Sequence, residues 1–293
     1  MTTHDTGDVT SDQQCTSRAV LDLWHPIAAI AELKPGVTYS TMLLGYPLSY
    51  GREGDTGVAV HRAGCREELP TRHRYGYVWA SLGEPSGEVF DIPETTEPDR
   101  RTMNSGSIMV ATSAPRAVEN FLDMGHFPYV HAGILGEEPH TEVVDYEVSI
   151  ENNEVWARKC LFYQPVAAAS ASGGQVTEYT YRVPHPYCVM LFKSVPTDPT
   201  RRDVIAIFLQ AMTHETIRAH NFLSMVDEAN SDNVLKYFQQ MIFSQDKPIL
   251  ENQHPKRLPL DPRVETPIRA DRSAIAYRRW LTDLGVTYGV IPA

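Results

Sequence analysis

The sequence predicts an α+β protein built on an antiparallel β-sheet. A long series of β-prone segments is separated by short turns, and few segments have helical periodicity. Consecutive strands with short connections pair antiparallel, because parallel strands need long crossovers. A stretch rich in proline and acidic residues, 84–102, divides the series. We therefore expect a small all-β domain at 19–99 and a larger α+β domain at 100–293.

The composition excludes several functional classes. The chain has 293 residues, of which 42% are hydrophobic, and a net charge of −11, which disfavours nucleic acid and anionic lipid as partners. No apolar run approaches the roughly 18 residues that span a bilayer. Residues 1–18 are polar and resemble a disordered tail rather than a signal peptide. We expect a cytoplasmic protein.

The four cysteines are isolated from one another. No two of them lie within three positions, so the sequence contains no C-x-x-C site: Cys15, Cys65, Cys160 and Cys188. Four scattered cysteines in a chain of this length exclude a disulfide scaffold and fit a reducing compartment.

The predicted elements follow in chain order. The small domain should contain β segments rich in aromatic and β-branched residues at 38–50, 58–60 and 75–82. The larger domain should contain seven strands, at 107–113, 143–150, 154–163, 176–183, 187–195, 203–213 and 217–226. Apolar periodicity and stop signals predict three helices, at 116–125, 232–253 and 272–284.

The helix at 232–253 carries a carboxylate in its apolar stripe. The stripe consists of Leu235, Phe238, Ile242 and Ile249. Asp246 has the same register, and a buried carboxylate is costly unless it is paired or binds a metal. An ion pair at the stripe's edge is the alternative. Pro248 predicts a kink nearby, because proline cannot donate a helical hydrogen bond.

Two histidines near the end of the helix at 116–125 form a second candidate group. His126 and His131 would lie about 140° apart on an ideal helix. They can share one metal only if the helix is distorted or ends between them, and Gly125 and Pro128 supply such a break. Taken alone, the H-x-x-x-x-H spacing is a weak motif.

The two groups strengthen each other. Two histidines and one carboxylate with open coordination positions form the facial triad of non-haem Fe(II) oxygenases. Zinc accepts the same three ligands together with a water molecule.

Several segments together resemble one enzyme family. Residues 119–131 (ENFLDMGHFPYVH) resemble the D-x-x-H-x-x-x-x-H segment of the α subunit of Rieske non-haem iron ring-hydroxylating oxygenases. Residues 245–261 and 269–281 resemble the C-terminal helices of the family's monooxygenase and demethylase branch. Three earlier segments resemble the base of its N-terminal Rieske domain: 24–36, 43–50 and 74–85.

The resemblance implies a fold and a set of roles. The fold would be the family's helix-grip catalytic domain, an antiparallel sheet wrapped on a long helix, preceded by an all-β remnant of the Rieske domain. His126, His131 and Asp246 would bind mononuclear Fe(II), with O₂ as co-substrate. Asp123 would link the iron histidines to the electron carrier, and Asn120 would be its neighbour.

The ligands of a Rieske cluster are missing. A [2Fe–2S] Rieske cluster needs two cysteines and two histidines, which the family supplies as C-x-H and C-x-x-H, and neither pattern occurs here. The corresponding segment is shortened to 57–76, where His61, Cys65 and His73 are one cysteine short and are interpreted as ordinary loop residues. We expect no cluster in this chain.

Three functions remain open at this point. The first is a terminal oxygenase that hydroxylates a small heterocyclic or aromatic substrate, by oxidative N- or O-demethylation that releases formaldehyde. Its electrons would come from a cluster-bearing NAD(P)H-dependent reductase, as in the cluster-less catalytic subunits of bacterial methylxanthine N7-demethylation that this chain resembles. The second is a redox-silent metal hydrolase with Glu251 or His254 as base. The third is a non-catalytic subunit.

The substrate pocket and the assembly are harder to predict. Phe243 and Leu250 lie about one turn from Asp246 and could line a pocket. Gln210 and Asn221 are possible polar anchors on late strands, although exposed strand polars are the alternative. The family resemblance implies a homotrimer or a hetero-oligomer with related subunits.

Overall fold

The computed structural model describes residues 13–53, 57–169, 173–195 and 198–293. The N-terminal part contains helix α1 (Arg18–Leu21) and strands β1 (His25–Ala29), β2 (Thr38–Leu43), β3 (Tyr46–Glu53), β4 (Gly57–Arg62), β5 (Thr71–Arg74) and β6 (Tyr77–Ala80).

The C-terminal part contains one large sheet and the longer helices. The strands are β7 (Arg101–Val110), β8 (Glu147–Glu151), β9 (Glu154–Gln164), β10 (Gln175–His185), β11 (Cys188–Val195), β12 (Asp198–Thr213), β13 (Thr216–Met225), β14 (Leu258–Pro259) and β15 (Val290–Ile291). The helices are α2 (Ala114–Leu122), α3 (Phe127–Val130), α4 (Asp232–Asn252) and α5 (Arg272–Asp283).

Seven strands form the central sheet, in the order β7-β13-β12-β11-β10-β9-β8, and every neighbouring pair is antiparallel. Side chains alternate between its two faces. Helix α4 packs against β7, and a cavity lies between the sheet and α4. The predicted α+β class with a mainly antiparallel sheet is confirmed.

The other face of the central sheet packs against the N-terminal part. Two small sheets, β1-β6-β5 and β2-β3-β4, make up that part. Trp79 from β6 packs on Phe208 from β12, with ring centroids 5.1 Å apart, inside a shared apolar cluster. The central sheet is therefore covered on both faces. A division into two domains near 84–102 stays a prediction.

Two differences from the predicted elements have local causes. The segment predicted as one strand at 38–50 is a hairpin, because Leu44 and Gly45 adopt φ values of 53° and 82° and turn the chain between β2 and β3. Order also begins earlier than predicted. Cys15 is buried and its amide donates to the Leu44 carbonyl at 2.9 Å, while residues 1–12 of the predicted tail lie outside the described part.

Helix α4 buries a slightly different stripe from the predicted one. Its fully buried side chains are Leu235, Gln239, Phe243 and Leu250. Ile249 was predicted to be buried and is 47% exposed, because the buried face near the helix end has moved by one residue to Leu250. Pro248 lies inside the helix, which continues to Asn252. No helix in the described part of the chain is long and apolar enough to cross a membrane.

Candidate metal centre

The two histidines lie at opposite ends of the one-turn helix α3. Helix α2 ends at Leu122, before Gly125 and before either histidine. The two histidines therefore do not lie on a continuation of that helix. His126 immediately precedes α3 and His131 immediately follows it, with Pro128 in its first turn. The short helix brings the two Nε2 atoms to 3.1 Å from each other.

Asp246 on α4 completes the group. Its Oδ1 lies 3.3 Å from Nε2 of His126 and 3.2 Å from Nε2 of His131. The site is mostly closed to solvent, because the three side chains are 13%, 13% and 1% exposed, for Asp246, His126 and His131 respectively. The structure thus brings together three side chains from sequence positions that span 120 residues.

The outer nitrogen of each ring faces an oxygen. Nδ1 of His126 lies 3.0 Å from Oδ2 of Asp123, and Nδ1 of His131 lies 2.9 Å from Oε1 of Gln245. Both oxygens accept hydrogen bonds, so the single hydrogen of each neutral ring is on Nδ1 and the lone pair is on Nε2. Gln245, which the sequence did not single out, thereby orients His131 as Asp123 orients His126.

Three lone pairs therefore meet at one point. The two Nε2 atoms and Asp246 Oδ1 are all acceptors in this state, and Oδ1 is buried without a hydrogen-bond donor among the described residues. Such an arrangement is repulsive unless a cation lies between the three atoms. Two imidazoles and one carboxylate are the donor set that suits mononuclear ferrous iron, so the residues present fit that metal.

The electrostatics of the site also favour positive charge. Burial lowers the pKa of His126, but the carboxylates of Asp123 and Asp246 outweigh this effect and raise it to about 9. Burial likewise raises the pKa of Asp246, yet hydrogen bonds and charge interactions with His126 and His131, which the two rings can make when they are protonated on Nε2, hold the net value below the usual range. Either a proton or a metal ion satisfies this preference.

Asp123 connects the site to the protein surface. Its carboxylate also accepts the Gly125 amide at 2.7 Å, and its side chain is 33% exposed. Together with His126 and Asn120, Asp123 lines a surface groove between α2 and α5. The groove reaches His126 from outside without passing through the cavity.

A buried ion-pair network holds α2, the helix that carries Asn120. Arg116 is fully buried and contacts Glu119 at 3.0 Å and Glu265 at 2.5 Å. Arg278 on α5 contacts Glu119 at 2.7 Å and also pairs with Glu265. The network joins α2 to α5 through Glu119 and Arg278, which are 159 residues apart in sequence, and no local sequence motif indicated it.

An apolar cavity of about 600 Å³, including its open mouth, begins at the three converging side chains. Small-molecule sites are typically lined by apolar and aromatic side chains with a few polar groups among them. Apolar and aromatic side chains form most of its walls: Phe121, Phe127, Leu135, Tyr179, Tyr181, Leu191, Ile205, Ile207, Phe238, Ile242 and Phe243. The remaining polar members are Asn120, Lys193 and Gln239. The cavity therefore suits a flat, largely apolar molecule.

Of the four predicted pocket residues, only Phe243 lines this cavity. Leu250 is in the apolar core. Gln210 faces the N-terminal part, where its amide donates to Thr41 Oγ1 at 2.8 Å. Asn221 is fully buried elsewhere in the sheet. The sequence does not reveal which face of a strand a polar residue occupies.

The residues considered for other chemistry lie away from the cavity. Glu251 accepts the Ala111 amide at 3.0 Å and pairs with Lys247, and His254 is exposed. Neither lines the cavity, so neither is in position to act as a hydrolytic base there.

The three residues of the N-terminal part considered as ligands of a Rieske cluster do not converge on one point. Nδ1 of His61 on β4 lies 3.2 Å from the Glu67 carbonyl oxygen, Cys65 is exposed, and His73 is on β5. Within the described ranges, the one group of His, Cys, Asp or Glu side chains that converges closely enough for a metal is His126, His131 and Asp246.

Comparison with known proteins identifies the family. Residues 110–286 match the family described as vanillate O-demethylase oxygenase C-terminal domain. The chain is 45% identical over 272 residues to a probable methylxanthine N7-demethylase, NdmC, of a Pseudomonas species (strain TJI-51), and the match covers 92% of this chain and 96% of that one. The chain belongs to the Rieske oxygenase family. It is thus an O₂-dependent monooxygenase, as the sequence predicted.

Other Rieske oxygenases agree with this assignment. The methylxanthine N1-demethylase NdmA of Pseudomonas putida is 26% identical over 77% of this chain and 61% of its own length. A solved structure of NdmA with caffeine has a TM-score of 0.75 at 20% identity, covering 89% of this chain and 90% of that one. This second likeness shows the shared fold. The family implies non-haem iron and O₂.

Proposed function

We propose that this Rieske oxygenase removes the N7 methyl group of a methylxanthine, using Fe(II) held by His126, His131 and Asp246. The observation that carries the proposal is the convergence of three lone pairs, 3.1 to 3.3 Å apart, at one end of an apolar cavity. The substrate follows from the 45% identity to a probable methylxanthine N7-demethylase.

The reaction consumes O₂ and two electrons. Ferrous iron bound there would supply the activation of O₂. One oxygen atom is inserted into a C–H bond of the N-methyl group and the other leaves as water with two protons. The N-hydroxymethyl product then breaks its C–N bond, releasing formaldehyde and leaving N–H on the ring.

The surrounding residues hold the ligands in place. Asp123 and Gln245 fix the rings of His126 and His131 by their Nδ1 hydrogen bonds, and such partners also raise the basicity of the coordinating nitrogen. The aromatic walls exclude water from the reacting methyl group. Phe243, one turn before Asp246 on α4, contributes to this wall.

We further propose that the electrons come from a separate protein. The sequence lacks both Rieske ligand patterns, and of its four cysteines three are buried and isolated. A cluster-bearing NAD(P)H-dependent reductase would dock at the groove where Asp123 is accessible. We place the enzyme in the cytoplasm, as a homotrimer or in a hetero-oligomer with related subunits.

The Asp123→Asn variant is expected to keep its iron and lose most reductase-driven turnover. Asparagine retains an oxygen that accepts from His126 Nδ1, but it removes the charge at the base of the groove. Mutation of a residue that hydrogen-bonds a metal ligand typically lowers activity by about 10- to 100-fold. Formaldehyde released from 7-methylxanthine measures the effect.

Hydrogen peroxide provides the matched comparison for this variant. Peroxide supplies both the oxygen atom and its two electrons, so product formation then needs no reductase. We expect peroxide-driven formaldehyde release to be similar in the wild type and Asp123→Asn. Equal loss with both oxidants would show that Asp123 only shapes the metal site, and full activity with the reductase would exclude any role in electron delivery.

A further inference from the structure

One charged side chain in the cavity lacks a hydrogen-bond or ion-pair partner among the described residues. Lys193 on β11 is 5% exposed and lines the cavity wall. Among the residues that the structure describes, none forms a hydrogen bond or an ion pair with its ammonium group. The nearest aromatic face is that of Tyr179, whose centroid lies 5.8 Å from Nζ. Asp203, its register partner on β12, instead accepts the Val226 amide at 2.8 Å.

A nearly buried cation that makes no hydrogen bond or ion pair with the protein is costly to the folded state. An ammonium group withdrawn from water loses most of its hydration unless new hydrogen bonds replace it. Burial lowers the pKa of Lys193 to about 8, although Asp203 opposes the shift. The ammonium form therefore still predominates at pH 7. It is available as a strong hydrogen-bond donor for a molecule that enters the cavity.

Lys193 lies at one end of the cavity, so it would contact one end of a molecule bound there. The cavity adjoins a wider cleft, and four residues line both: Lys193, Ile205, Phe238 and Gln239. His126, His131 and Asp246 line the cavity but not the cleft. Lys193 thus lies towards the cleft, and the proposed metal ligands lie towards the closed end.

We propose that Lys193 binds an oxygen of the substrate, a carbonyl or a deprotonated imide, and so directs the methyl group at the opposite edge towards the three converging side chains. The inference rests on the proposed methylxanthine substrate. In 7-methylxanthine both oxygens are on the six-membered ring and the methyl group is on the five-membered ring. A single donor at the cleft end therefore selects the orientation in which the methyl group reaches the closed end.

Equilibrium dialysis with two probes tests this role without relying on turnover. The probes are 7-methylxanthine and 7-methylpurine, which lacks both oxygens. We expect the wild type to prefer 7-methylxanthine. Lys193→Met should bind it about 10- to 100-fold more weakly, as expected for loss of a charged hydrogen bond, and should bind 7-methylpurine as the wild type does.

Two further variants make the comparison specific. Lys193→Arg keeps the charge and should retain part of the preference for 7-methylxanthine. Lys34→Met replaces an exposed lysine remote from the cavity and should behave as the wild type does. Methionine matches the length of lysine and fills the same apolar wall, so Lys193→Met should fold, which circular dichroism checks.

The outcomes separate this inference from the proposed function. If the wild type prefers 7-methylxanthine and Lys193→Met keeps that preference, Lys193 has no recognition role, and the inference alone is overturned. If the wild type binds neither probe, the methylxanthine assignment fails and the inference fails with it. Loss of the preference in Lys193→Met, but not in Lys34→Met, supports the inference.

Discussion

The Asp246→Ala variant is expected to lose both bound iron and formaldehyde-releasing activity. The substitution removes the only carboxylate among the described residues that directly faces the Nε2 atoms of His126 and His131, at 3.3 and 3.2 Å. Losing a hydrogen-bond partner of a metal ligand already costs about 10- to 100-fold in affinity, so losing a ligand with its charge should cost more than about 100-fold. Iron content after desalting and the rate of formaldehyde release are the measurements.

Asp283→Ala is the matched control. Asp283 is exposed at the end of α5, away from the cavity, and its replacement should change neither iron content nor activity. The Asp246→Ala variant should remain folded, because a buried carboxylate contributes more repulsion than packing once the metal is absent. A folded Asp246→Ala protein that keeps iron and turnover would remove Asp246 from the proposed ligand set.

The purified chain is expected to form no product from 7-methylxanthine with NAD(P)H and O₂ alone. Hydroxylation needs two electrons per turnover, and the sequence contains neither C-x-H nor C-x-x-H for a cluster of its own. Adding a cluster-bearing reductase should bring formaldehyde release well above background. Oxygen consumption and formaldehyde should rise together.

Three results would contradict this expectation in different ways. Turnover under strict anaerobiosis without a reductant would indicate water activation by a Lewis-acid metal. Product formation with NAD(P)H alone would mean that the chain accepts electrons without a partner cluster. If no reductase and no peroxide supports product, while a related subunit gains activity from this chain, the chain is a non-catalytic subunit.

Local patterns singled out the three residues of the candidate metal centre, and the family resemblance implied that they bind iron. The spacing of His126 and His131, with Gly125 and Pro128 beside them, predicts a helix break, and α2 indeed ends before the first histidine. Asp246 stands out in the sequence because a carboxylate in an apolar stripe is costly. Both signals come from the spacing of residues within one short segment, which can be read without knowing how distant segments pack.

Long-range placement could not be predicted in the same way. Gln210 and Lys193 are both polar residues on strands, yet Gln210 faces the N-terminal sheets and Lys193 faces the cavity. A shift of one residue in the strand register moves every side chain to the other face of the sheet. Where a strand does not alternate cleanly between apolar and polar residues, its sequence does not determine which side chains face the cavity. The contact of Glu119 on α2 with Arg278 on α5, 159 positions apart, likewise depends on how the two helices meet.

Metal and acid-labile sulfide analysis of the purified protein tests the central claim most directly. The account predicts about one iron atom per chain, bound by two histidines and one carboxylate, and no acid-labile sulfide. Iron accompanied by a stoichiometric amount of labile sulfide would show that the chain carries a cluster of its own. Zinc in place of iron, with no sulfide, would contradict the oxygenase chemistry proposed for His126, His131 and Asp246.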